Sequence, residues 1–589
     1  MSWEAWYTLA VLLLVAIALI REWFPPSAVM MGALVLVLVP GVVTPSQALS
    51  GFSNPAPVTI AALYVLAAAV ERTGVLAPIV NRIFDGSDHP VRSLWRMAIP
   101  TTAVSSFINT TPVVAMLIPQ VEAWVRSRDR SISRYLMPLS FAAILGGTVT
   151  VMGTATNIAV SGLLEEIGQE PLGFFELAPV GLPIAIVSVF ALPFLTLALL
   201  PDRTSARKQR AEALREFVVD MRVQPQGAAD GKRVEDIGLR QLHGVYLIAL
   251  ERDDETTAPV APTTVVHGGD RLRFAGRVDD ILDLEAVPGL EAAETEHALG
   301  GPDSAVAYFE AVIGSSSPLV GKTVKEAQFR SRYLAAVVAV HRSGRRIESK
   351  VGDVPLRVGD TLLILGDKEF ASRWRDRPDF LLISPLRPAP PRSSPRAGIV
   401  GAVAVGIIVT AAIGLLPLVT AALAGAAILV VTGIMSPTDA RRAVNLDVVI
   451  TIAAAFSLAQ AMEVTGLAAV VAGGVVDLTE PIGVVAVLAA VVVMTMVIKE
   501  FITNKAAILL LIPIGFSIAV ELGSDPRPFA IAITIAGALS FLTPIGFPSN
   551  TMVYGPGGYR YTDYLRVGLP LSIIATVGIV AIVPLVWPL

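Results

Sequence analysis

Long apolar runs occupy both ends of the 589-residue chain and leave a polar stretch between them. A helix needs at least ~17 apolar residues to cross a bilayer. Runs of that length lie near 3–20, 27–43, 55–80, 135–163, 176–200, 397–416, 418–435, 446–474, 528–555 and 566–588. Residues 201–396 have the mixed polarity of a water-soluble domain. The pattern predicts a polytopic α-helical membrane protein with a soluble α+β insert.

Two further apolar stretches, about 97–119 and about 483–520, contain polar centres. The first is interrupted at Ser105–Pro112, and the loops before and after it are both rich in arginine. Basic loops stay on the cytoplasmic side, and a broken helix is tolerated only where it lines a protein cavity. The first stretch is therefore predicted to be a re-entrant hairpin that enters and leaves from the cytoplasm.

The same charge rule sets the orientation of the whole chain. An acidic loop, Glu165–Glu170, is predicted to be external, and the basic stretch Arg203–Arg210 places the insert 201–396 in the cytoplasm. Both termini are then external. The first apolar run has no basic region before it and no cleavage site after it, so it is interpreted as a retained span and not a signal peptide. The expected location is a bacterial inner membrane.

An internal repeat relates residues 1–200 to residues 397–589. The matching pairs are Glu71–Gly74 with Glu463–Gly466, Thr44-Pro45 with Ser436-Pro437, Gly153–Asn157 with Gly546–Asn550, and Pro119 with Pro513, all 392 to 394 positions apart. Each half has five spans and one hairpin. Because five is odd, the halves are predicted to be inverted, the architecture of many secondary transporters. Chance similarity between Ala/Val/Gly-rich helices is the alternative.

Four interrupted elements supply the candidate site. They are the hairpin tips Asn109–Pro112 and Thr503–Lys505, and the breaks Gly146–Asn157 and Thr543–Thr551 within helices predicted at about 135–163 and about 528–555. Glycine lets backbone carbonyls approach Na⁺, and Ser, Thr and Asn oxygens complete its shell. Free N–H groups at half-helix starts bind anions. The alternative is that these polar residues only join packed helices.

The chain resembles the divalent anion:sodium symporter (DASS) family of the wider ion-transporter superfamily. The resemblance covers both membrane halves and is carried by Ser106–Pro119, Gly146–Asn157, Phe501–Pro513 and Leu542–Gly557. It implies an elevator motion in a homodimer. It also implies a substrate site at Asn109, Thr110, Thr111, Thr503, Asn504, Lys505, Thr156, Asn157, Ser549 and Asn550. The Na⁺ sites would use Ser105, Ser106, Asn109, Gly153, Thr503, Asn504, Thr543 and Gly546.

Lys505 departs from the pattern of that family, which has Thr or Asn at this place. An ammonium at a hairpin tip repels Na⁺ and attracts a dianion. Our hypothesis is that Lys505 replaces one coupling cation or binds substrate directly, because intramembrane charges are usually functional. The alternative is a neutralising pair with Glu500. Lys499 and Glu500 precede this hairpin, and either is a further candidate.

The insert contains a second repeat, with a spacing of 90. Gly231–Val234 matches Gly321–Val324, and Gly269-Asp270 matches Gly359-Asp360. Each unit is predicted to have a polar strand, a short helix starting at Gly-Lys-x-Val, an apolar strand, a Gly-Asp turn and a closing strand. The predicted strands are Val245–Leu250, Arg271–Ala275, Ala335–Val340 and Thr361–Leu365. Pro385–Pro395 is predicted to be a stiff linker.

The two units, 205–292 and 303–385, resemble TrkA-C (RCK C-terminal) domains. This resemblance implies dimerisation and a small ligand, such as a cyclic dinucleotide. A scaffold without ligand is the alternative. No G-x-G-x-x-G follows a strand, so the nucleotide-binding half of such modules is not expected.

Composition narrows the function classes. Only 16% of residues are charged and the mean hydropathy is +0.67, against roughly 25% charged residues in soluble proteins. The net charge of −4 does not favour a nucleic-acid partner, and there is no cysteine. No nucleophile–base pair or metal-ligand spacing suggests an enzyme.

The interpretation is a secondary active transporter in a lipid bilayer, driven by Na⁺ or H⁺ and moving a small anion. Thr-rich tips without arginine favour sulfate over dicarboxylates. An RCK-gated channel is the remote alternative, since a Thr-Val-Gly-Tyr-Gly filter is missing.

Overall fold

We describe the fold from a computed structural model of the full chain. It describes residues 1–21, 23–76, 89–128, 130–201, 218–237, 239, 245–252, 255–276, 288–292, 306–314, 317–342, 345–347, 351–367, 369–374, 377, 379–385, 394–502 and 504–589. The site residue Thr503, most of the predicted linker and the basic stretch after residue 202 lie outside the described residues.

The first membrane half consists of nine helices within the described residues. They are α1 (Trp3–Ile20), α2 (Pro26–Leu38), α3 (Pro45–Ser53), α4 (Pro55–Thr73), α5 (Pro90–Ser105), α6 (Thr110–Ser127), α7 (Ser133–Gly146), α8 (Ala155–Glu166) and α9 (Ala178–Leu199). A 3₁₀ turn, Val151–Gly153, lies between α7 and α8. The span predicted at 135–163 is thus two helices with a break.

The second half repeats this order. After the insert helices α10 (Phe329–Tyr333) and α11 (Phe370–Trp374) come α12 (Ala397–Ala412), α13 (Leu418–Val431), α14 (Pro437–Ala443), α15 (Leu446–Val464), α16 (Leu467–Thr479), α17 (Val484–Ile498), α18 (Asn504–Glu521), α19 (Pro526–Ala538), α20 (Pro548–Gly557) and α21 (Tyr561–Val586). The starts of α6 and α18 are 394 positions apart, as are those of α5 and α17.

Equivalent helices in the two halves begin and end with the same local features. Asn54 caps α4 by accepting from the N–H of Ala56, and Asn445 caps α15 by accepting from Val448. Gly74 and Gly466 follow these helices with φ of 65° and 69°, a conformation that costs glycine little. Gly466 therefore separates α15 from α16 inside the apolar run at 446–474, which the sequence had predicted as one span.

Six helices are long and apolar enough to cross a membrane, and five shorter apolar helices accompany them among the described residues. The first hairpin begins at Pro90, earlier than the predicted residue 97. Its arms are α5 and α6, and the arms of the second hairpin are α17 and α18. Residues 77–80 of the predicted third span lie outside the described residues.

We divide the helices into an outer and an inner group, which contact each other where α15 packs on α18. In the outer group α15 packs on α2 and α3, and α13 packs on α4. In the inner group α5 packs on α7, α9 on α21, and α18 on α19. Arg527, at the start of α19, forms two hydrogen bonds of 2.6 and 2.7 Å with the carboxylate of Glu176. It also donates to the backbone oxygens of Glu170 and Pro171, so it joins the two halves.

The insert consists of two five-stranded antiparallel sheets with the same topology. Their strands are β1 (Val218–Val223), β2 (Val245–Arg252), β3 (Glu255–Thr257), β4 (Arg271–Gly276) and β5 (Leu290–Ala292), then β6 (Val306–Val312), β7 (Ala335–Arg342), β8 (Arg345–Arg346), β9 (Thr361–Asp367) and β10 (Leu382–Pro385). The orders are β3-β2-β4-β1-β5 and β8-β7-β9-β6-β10. The register shifts once in β2, between Leu247 and Ala249, and once in β7, between Val337 and Ala339.

One ion pair recurs in both sheets. Arg252 forms hydrogen bonds of 2.7 and 2.6 Å with Asp270, and Arg342 forms hydrogen bonds of 2.7 Å with each oxygen of Asp360. Such two-point contacts hold the Gly-Asp turn to the neighbouring strand. The two sheets also share an apolar cluster that includes Ile248, Val338 and Leu363.

The Gly-Lys-x-Val segments do not start helices, contrary to the prediction. Arg233 pairs with Val265, and Thr323 pairs with Pro355, as isolated β-bridges. The preceding Gly231 and Gly321 have φ of 75° and 80°. This backbone is extended because it pairs with the segment before the Gly-Asp turn, and the helix of the second unit begins only at Phe329.

Candidate functional site

The first hairpin tip lies between the end of α5 at Ser105 and the start of α6 at Thr110. Asn109 accepts a 3.4 Å hydrogen bond from the N–H of Thr111, so its side chain turns back on the first turn of α6. Asn109 also lines a narrow, mainly apolar cleft together with Tyr64 and Met152. The tip is thus placed between the outer helix α4 and the break that precedes α8.

Oxygen atoms from the tip and from the α7–α8 break form a buried cradle. Ser105 Oγ and Thr110 Oγ1 are 3.3 Å apart, and Thr110 Oγ1 is 3.4 Å from the carbonyl oxygen of Ala143. Thr150 donates its hydroxyl to the carbonyl oxygen of Ser106. Ser105, Thr110 and Thr150 are fully buried. The tip and the break are therefore held together by side-chain hydrogen bonds.

Glycine is required where the break folds back on itself. A Cβ on Gly153 would lie 2.8 Å from the carbonyl oxygen of Gly147 and 2.9 Å from its Cα. Any larger residue would push the two strands of the break apart. Gly153 was predicted as a Na⁺ ligand, and the structure places it against Gly147.

Asn157 bridges the same break with its side chain. Its Nδ2 donates 2.9 Å hydrogen bonds to the carbonyl oxygens of Gly147 and Thr150. These two bonds fix which atom is nitrogen. Its Oδ1 is fully buried and has no hydrogen-bond partner. A buried acceptor without a partner is costly, so this oxygen is available to a cation. The neighbouring Thr156 is also buried, and its N–H donates to Thr154 Oγ1 at 3.4 Å.

The donor set of the cradle fits Na⁺. It consists of hydroxyl, amide and carbonyl oxygens, which hard cations prefer, and no positively charged side chain is among the described contacts of these residues. Ser105, Ser106 and Thr110 come from the tip, and Asn157 comes from the break. Ser105 and Ser106, predicted for Na⁺, are thus brought together with Thr110 and Asn157, predicted for substrate, and with Thr150 as an additional member. Asn109 lies at the apolar cleft instead.

The second half places charges at the corresponding position. Lys499 and Glu500 follow α17, as Ser105 and Ser106 lie at the end of α5, 394 positions earlier. Lys499 is 1% exposed, and its Nζ lies 3.9 Å from Glu500 Oε1. Glu500 accepts hydrogen bonds from Ser540 Oγ at 3.1 Å and from Thr543 Oγ1 at 2.7 Å.

Gly546 makes room for this carboxylate. A Cβ on Gly546 would lie 2.8 Å from Glu500 Oε2 and would overlap Ser540 Oγ. The N–H of Gly546 donates to Thr543 Oγ1 at 3.0 Å. Thr543 and Gly546, predicted as Na⁺ ligands, therefore surround the Glu500 carboxylate.

Asn550 is the counterpart of Asn157, with one difference. Its Nδ2 donates to the carbonyl oxygens of Ser540 and Thr543 at 3.0 and 3.3 Å. Its Oδ1 accepts a 2.7 Å hydrogen bond from Ser140, which also lies 2.8 Å from Ser549 Oγ. The amide of Asn550 is therefore satisfied by protein, whereas that of Asn157 is not.

The second tip contributes Asn504 and Lys505. Asn504 is 7% exposed, and neither its Oδ1 nor its Nδ2 has a hydrogen-bond partner. Lys505 is half-buried in the first turn of α18. Among the described residues, the negative charge of Asp447 acts on it, and Asp447 also accepts a hydrogen bond from Ser27. Glu500 pairs with Lys499, and no Lys505–Glu500 ion pair is found among the described residues.

The sequence left two residues of this site unassigned. Ser140 and Ser540 lie in predicted spans without any distinguishing neighbour, and only their contacts reveal them. The sequence contained one indication that Lys499 and Glu500 belong to the site. The 394-residue offset aligns them with the polar residues Ser105 and Ser106.

The insert contacts the inner helices near their ends. A Cβ on Gly555, in α20, would overlap Thr361 Oγ1 and lie 3.4 Å from the carbonyl oxygen of Gly359. Val312 and Leu381 of the insert belong to the same hydrophobic cluster as the membrane helices. The second sheet is thus seated on the helix that follows the second break.

Helices of this length and polarity, two hairpins and two broken helices with buried polar cradles define a helical membrane transporter. The chain belongs to the CitMHS family, described as citrate transporters, which matches residues 16–507 and 487–588.

The chain has relatives along its full length, and they include proteins described as transporters. The chain is 34% identical over 569 residues to a putative sulfur deprivation response regulator of Chlamydomonas reinhardtii, covering 95% of this chain and 97% of that protein. It is 32% identical over 603 residues to an uncharacterized transporter of Synechocystis sp., covering 100% and 98%. It is 24% identical over 790 residues to sodium/sulfate cotransporter 1 of C. reinhardtii, covering 97% and 89%. The family and these relatives indicate a transporter and not an enzyme.

Proposed function

We propose that the protein is a secondary active transporter of the divalent anion:sodium symporter type, which moves sulfate with Na⁺ by an elevator motion. The observation that carries this proposal is the set of buried amide atoms without protein partners. Asn157 Oδ1 lies at the first break, and both polar atoms of Asn504 lie at the second tip. Buried polar atoms normally have hydrogen-bond partners. These atoms are therefore suited to binding a cation and an oxyanion that associate and dissociate during transport.

Contacts between the two broken helices support an inverted relation between the halves, which would allow alternating exposure of such a site. Tyr559, just after α20, donates to the carbonyl oxygen of Ser133 at the start of α7 and accepts from the N–H of Met137. Arg527, at the start of α19, bonds Glu176, which follows α8. Each broken helix therefore begins where the other ends. An antiparallel pairing of this kind would bring the two breaks to the same depth, as in inverted-repeat transporters.

Sulfate is the favoured substrate because the site offers hydroxyl and amide groups and one lysine. Asn109, Thr111 and Asn504 can donate to a compact oxyanion, and Lys505 adds a positive charge. Sodium/sulfate cotransporters are among the relatives. A carboxylate such as succinate or citrate is the second candidate, because the family description names citrate.

The insert acts as a regulatory module on the cytoplasmic face. Its two sheets repeat the same topology and resemble a pair of TrkA-C domains, a class that binds small ligands such as cyclic dinucleotides. The second sheet touches α20 through Gly359 and Thr361, so a ligand that moves this sheet would act on the inner helices. We propose a homodimer in the bacterial inner membrane, with external termini.

Uptake into proteoliposomes tests this function. Purified protein is reconstituted with an inward Na⁺ gradient, and uptake of radiolabelled sulfate, succinate and citrate is compared with that in protein-free liposomes. We expect sulfate uptake that needs Na⁺ and is competed by unlabelled sulfate.

Carboxylate uptake without sulfate uptake would overturn the substrate assignment. Uptake that depends on a pH gradient and not on Na⁺ would overturn the coupling ion. Unitary currents in a planar bilayer would indicate a channel.

A further inference from the structure

The two halves can be aligned residue by residue at their hairpin tips. Phe107-Ile108 and Phe501-Ile502 are identical pairs 394 positions apart. The helices that follow the tips start at Thr110 and Asn504, also 394 apart. This alignment places Lys499 on Ser105 and Glu500 on Ser106.

The surroundings of these two positions also correspond. Thr150 donates to the backbone of Ser106, and Thr543, its counterpart, donates to the carboxylate of Glu500. Asn157 and Asn550 each bridge two backbone carbonyls of the adjacent break. The scaffold of the cation cradle is therefore present twice.

The two cradles differ in their charges, and also at Asn550 Oδ1, which accepts from Ser140 whereas Asn157 Oδ1 has no partner. The first offers neutral oxygens, including the unpartnered Oδ1 of Asn157. The second contains a carboxylate and an ammonium. Lys499 Nζ is buried, has no hydrogen-bond acceptor, and lies 3.9 Å from Glu500 Oε1. A buried ion pair adds little to stability, and a charge at membrane depth usually has a function.

We propose that Lys499 acts as a tethered cation in the second half. Together with Glu500, it occupies the position that corresponds to the coupling Na⁺ site of the first half. A Na⁺ entering the second cradle would be repelled by the ammonium beside it, so the protein binds one Na⁺ per cycle. This inference rests on the proposed function and makes Lys499 a positioning residue. It assigns to Lys499 the substituting role that the sequence had suggested for Lys505.

The proposal has a consequence for charge movement. The Lys499–Glu500 pair is neutral and stays with the protein in both directions of the cycle. A dianion carried with one Na⁺ therefore moves one net negative charge, whereas a dianion carried with two Na⁺ moves none. Membrane potential thus acts on transport by the wild-type protein.

The test gives the second cradle the residues of the first. In K499S/E500S the ion pair is replaced by the pair found at Ser105 and Ser106. Bound Na⁺ is counted with ²²Na⁺ on purified protein, and the Hill coefficient for Na⁺ and the effect of a valinomycin-set potential are measured in proteoliposomes. We expect about one Na⁺ and a Hill coefficient near 1 for the wild type, and about two with loss of the potential effect for K499S/E500S.

Two further variants separate this role from a structural one. K499R keeps the charge and is expected to keep one Na⁺. K499M/E500Q removes both charges without adding hydroxyl ligands and is expected to keep one Na⁺ as well.

Two bound Na⁺ in the wild type would overturn the proposal, even if no variant folded. One Na⁺ in a folded K499S/E500S would also overturn it. Because bound Na⁺ is counted without substrate, failure of sulfate uptake alone would contradict the proposed function and leave the Na⁺ count to decide this inference.

Discussion

Thr361 of the insert lies against Gly555 of α20, with no room for a side chain between them. This contact joins the Gly-Asp turn of the second sheet to the helix that follows the second break. Thr361 Oγ1 is buried there and has no hydrogen-bond partner. The contact therefore depends on van der Waals packing, and one added methyl group can break it.

We expect G555A to separate the second sheet from α20, because the new Cβ would overlap Thr361 Oγ1. Hydrogen exchange around residues 359–361 should rise, and the rate of substrate uptake should change. The double variant G555A/T361A should restore both, since it removes the colliding oxygen. G474A is the matched control, because Gly474 in α16 has open space at its Cβ. Unchanged exchange in G555A would contradict the contact.

Asn157 and Asn550 allow a paired test of the first cradle. Either change to Ala removes two backbone hydrogen bonds and should destabilise the protein by about 1–3 kcal/mol. Only N157A also removes an unpartnered oxygen. We therefore expect the Na⁺ concentration for half-maximal uptake to rise about tenfold or more in N157A, the equivalent of ~1.4 kcal/mol.

In N550A the same Na⁺ concentration should change little, because Ser140 already satisfies Asn550 Oδ1. Thermal unfolding in detergent provides the stability comparison. Equal shifts of Na⁺ dependence in both variants would argue against a Na⁺ site at Asn157.

The ion pairs of the insert differ in exposure and should differ in strength. Asp360 is fully buried, and its partner Arg342 has a side chain 27% exposed, whereas the side chain of Arg252 is 39% exposed. Its hydrogen bonds with Asp360 raise the pKa of Arg342, so this guanidinium remains charged at all ordinary pH values. We expect D360N to destabilise the second sheet by about 2–3 kcal/mol.

D270N is the control for that change and should have a smaller effect on the first sheet. Hydrogen exchange of the full chain, followed by mass spectrometry, would localise each loss of protection. A D360N effect that spread equally through both sheets would contradict two separately held units.

Arg72 and Asp439 form an ion pair of 2.7 Å between α4 and α14. The hydrogen bond from Arg72 is the largest cause that lowers the pKa of Asp439, from 3.8 to about 2. A lowered carboxyl pKa gives stability that is present above the unfolded value and is lost as the pH falls through the folded value. Because both side chains are about a third exposed, we expect D439N to cost less than about 1 kcal/mol.

The free-energy cost of D439N should be constant above pH 3.8 and should decrease toward zero as the pH approaches 2. Thermal unfolding of wild type and D439N in the same detergent, from neutral to acidic pH, measures it. A difference that grew at low pH would show that another group is responsible.

The sequence predicted the two membrane halves, both hairpins and both breaks because each leaves a local mark. Apolar length marks a span, and a cluster of Gly, Thr and Asn marks a break. The sequence did not separate α15 from α16, because one glycine in a left-handed conformation turns the chain within a run that stays mainly apolar despite Glu463. The repeated sheets were predicted from the 90-residue spacing, but the β-bridges at Arg233 and Thr323 were not.

The ion-pair partner of Glu500 shows what could not be predicted at the site from the sequence. The sequence offered Lys505 as a partner for Glu500 in a neutralising pair, as the alternative to a functional role for Lys505. In the structure α17 has already ended at Ile498, so Lys499 and Glu500 lie in a turn where neighbours can meet. The contact of Thr361 with Gly555 depends on how the insert returns to the membrane, and no local pattern contains that information.

The hydrogen bonds of Arg527 limit how the two broken helices can move relative to each other during the proposed transport. Its guanidinium holds Glu176 and two backbone oxygens beyond α8, so the outer ends of the two broken helices cannot slide past each other without breaking several bonds at once. In the proposed elevator motion, the two broken helices would therefore move together, and the proposed cation and anion sites would keep their relative positions during transport.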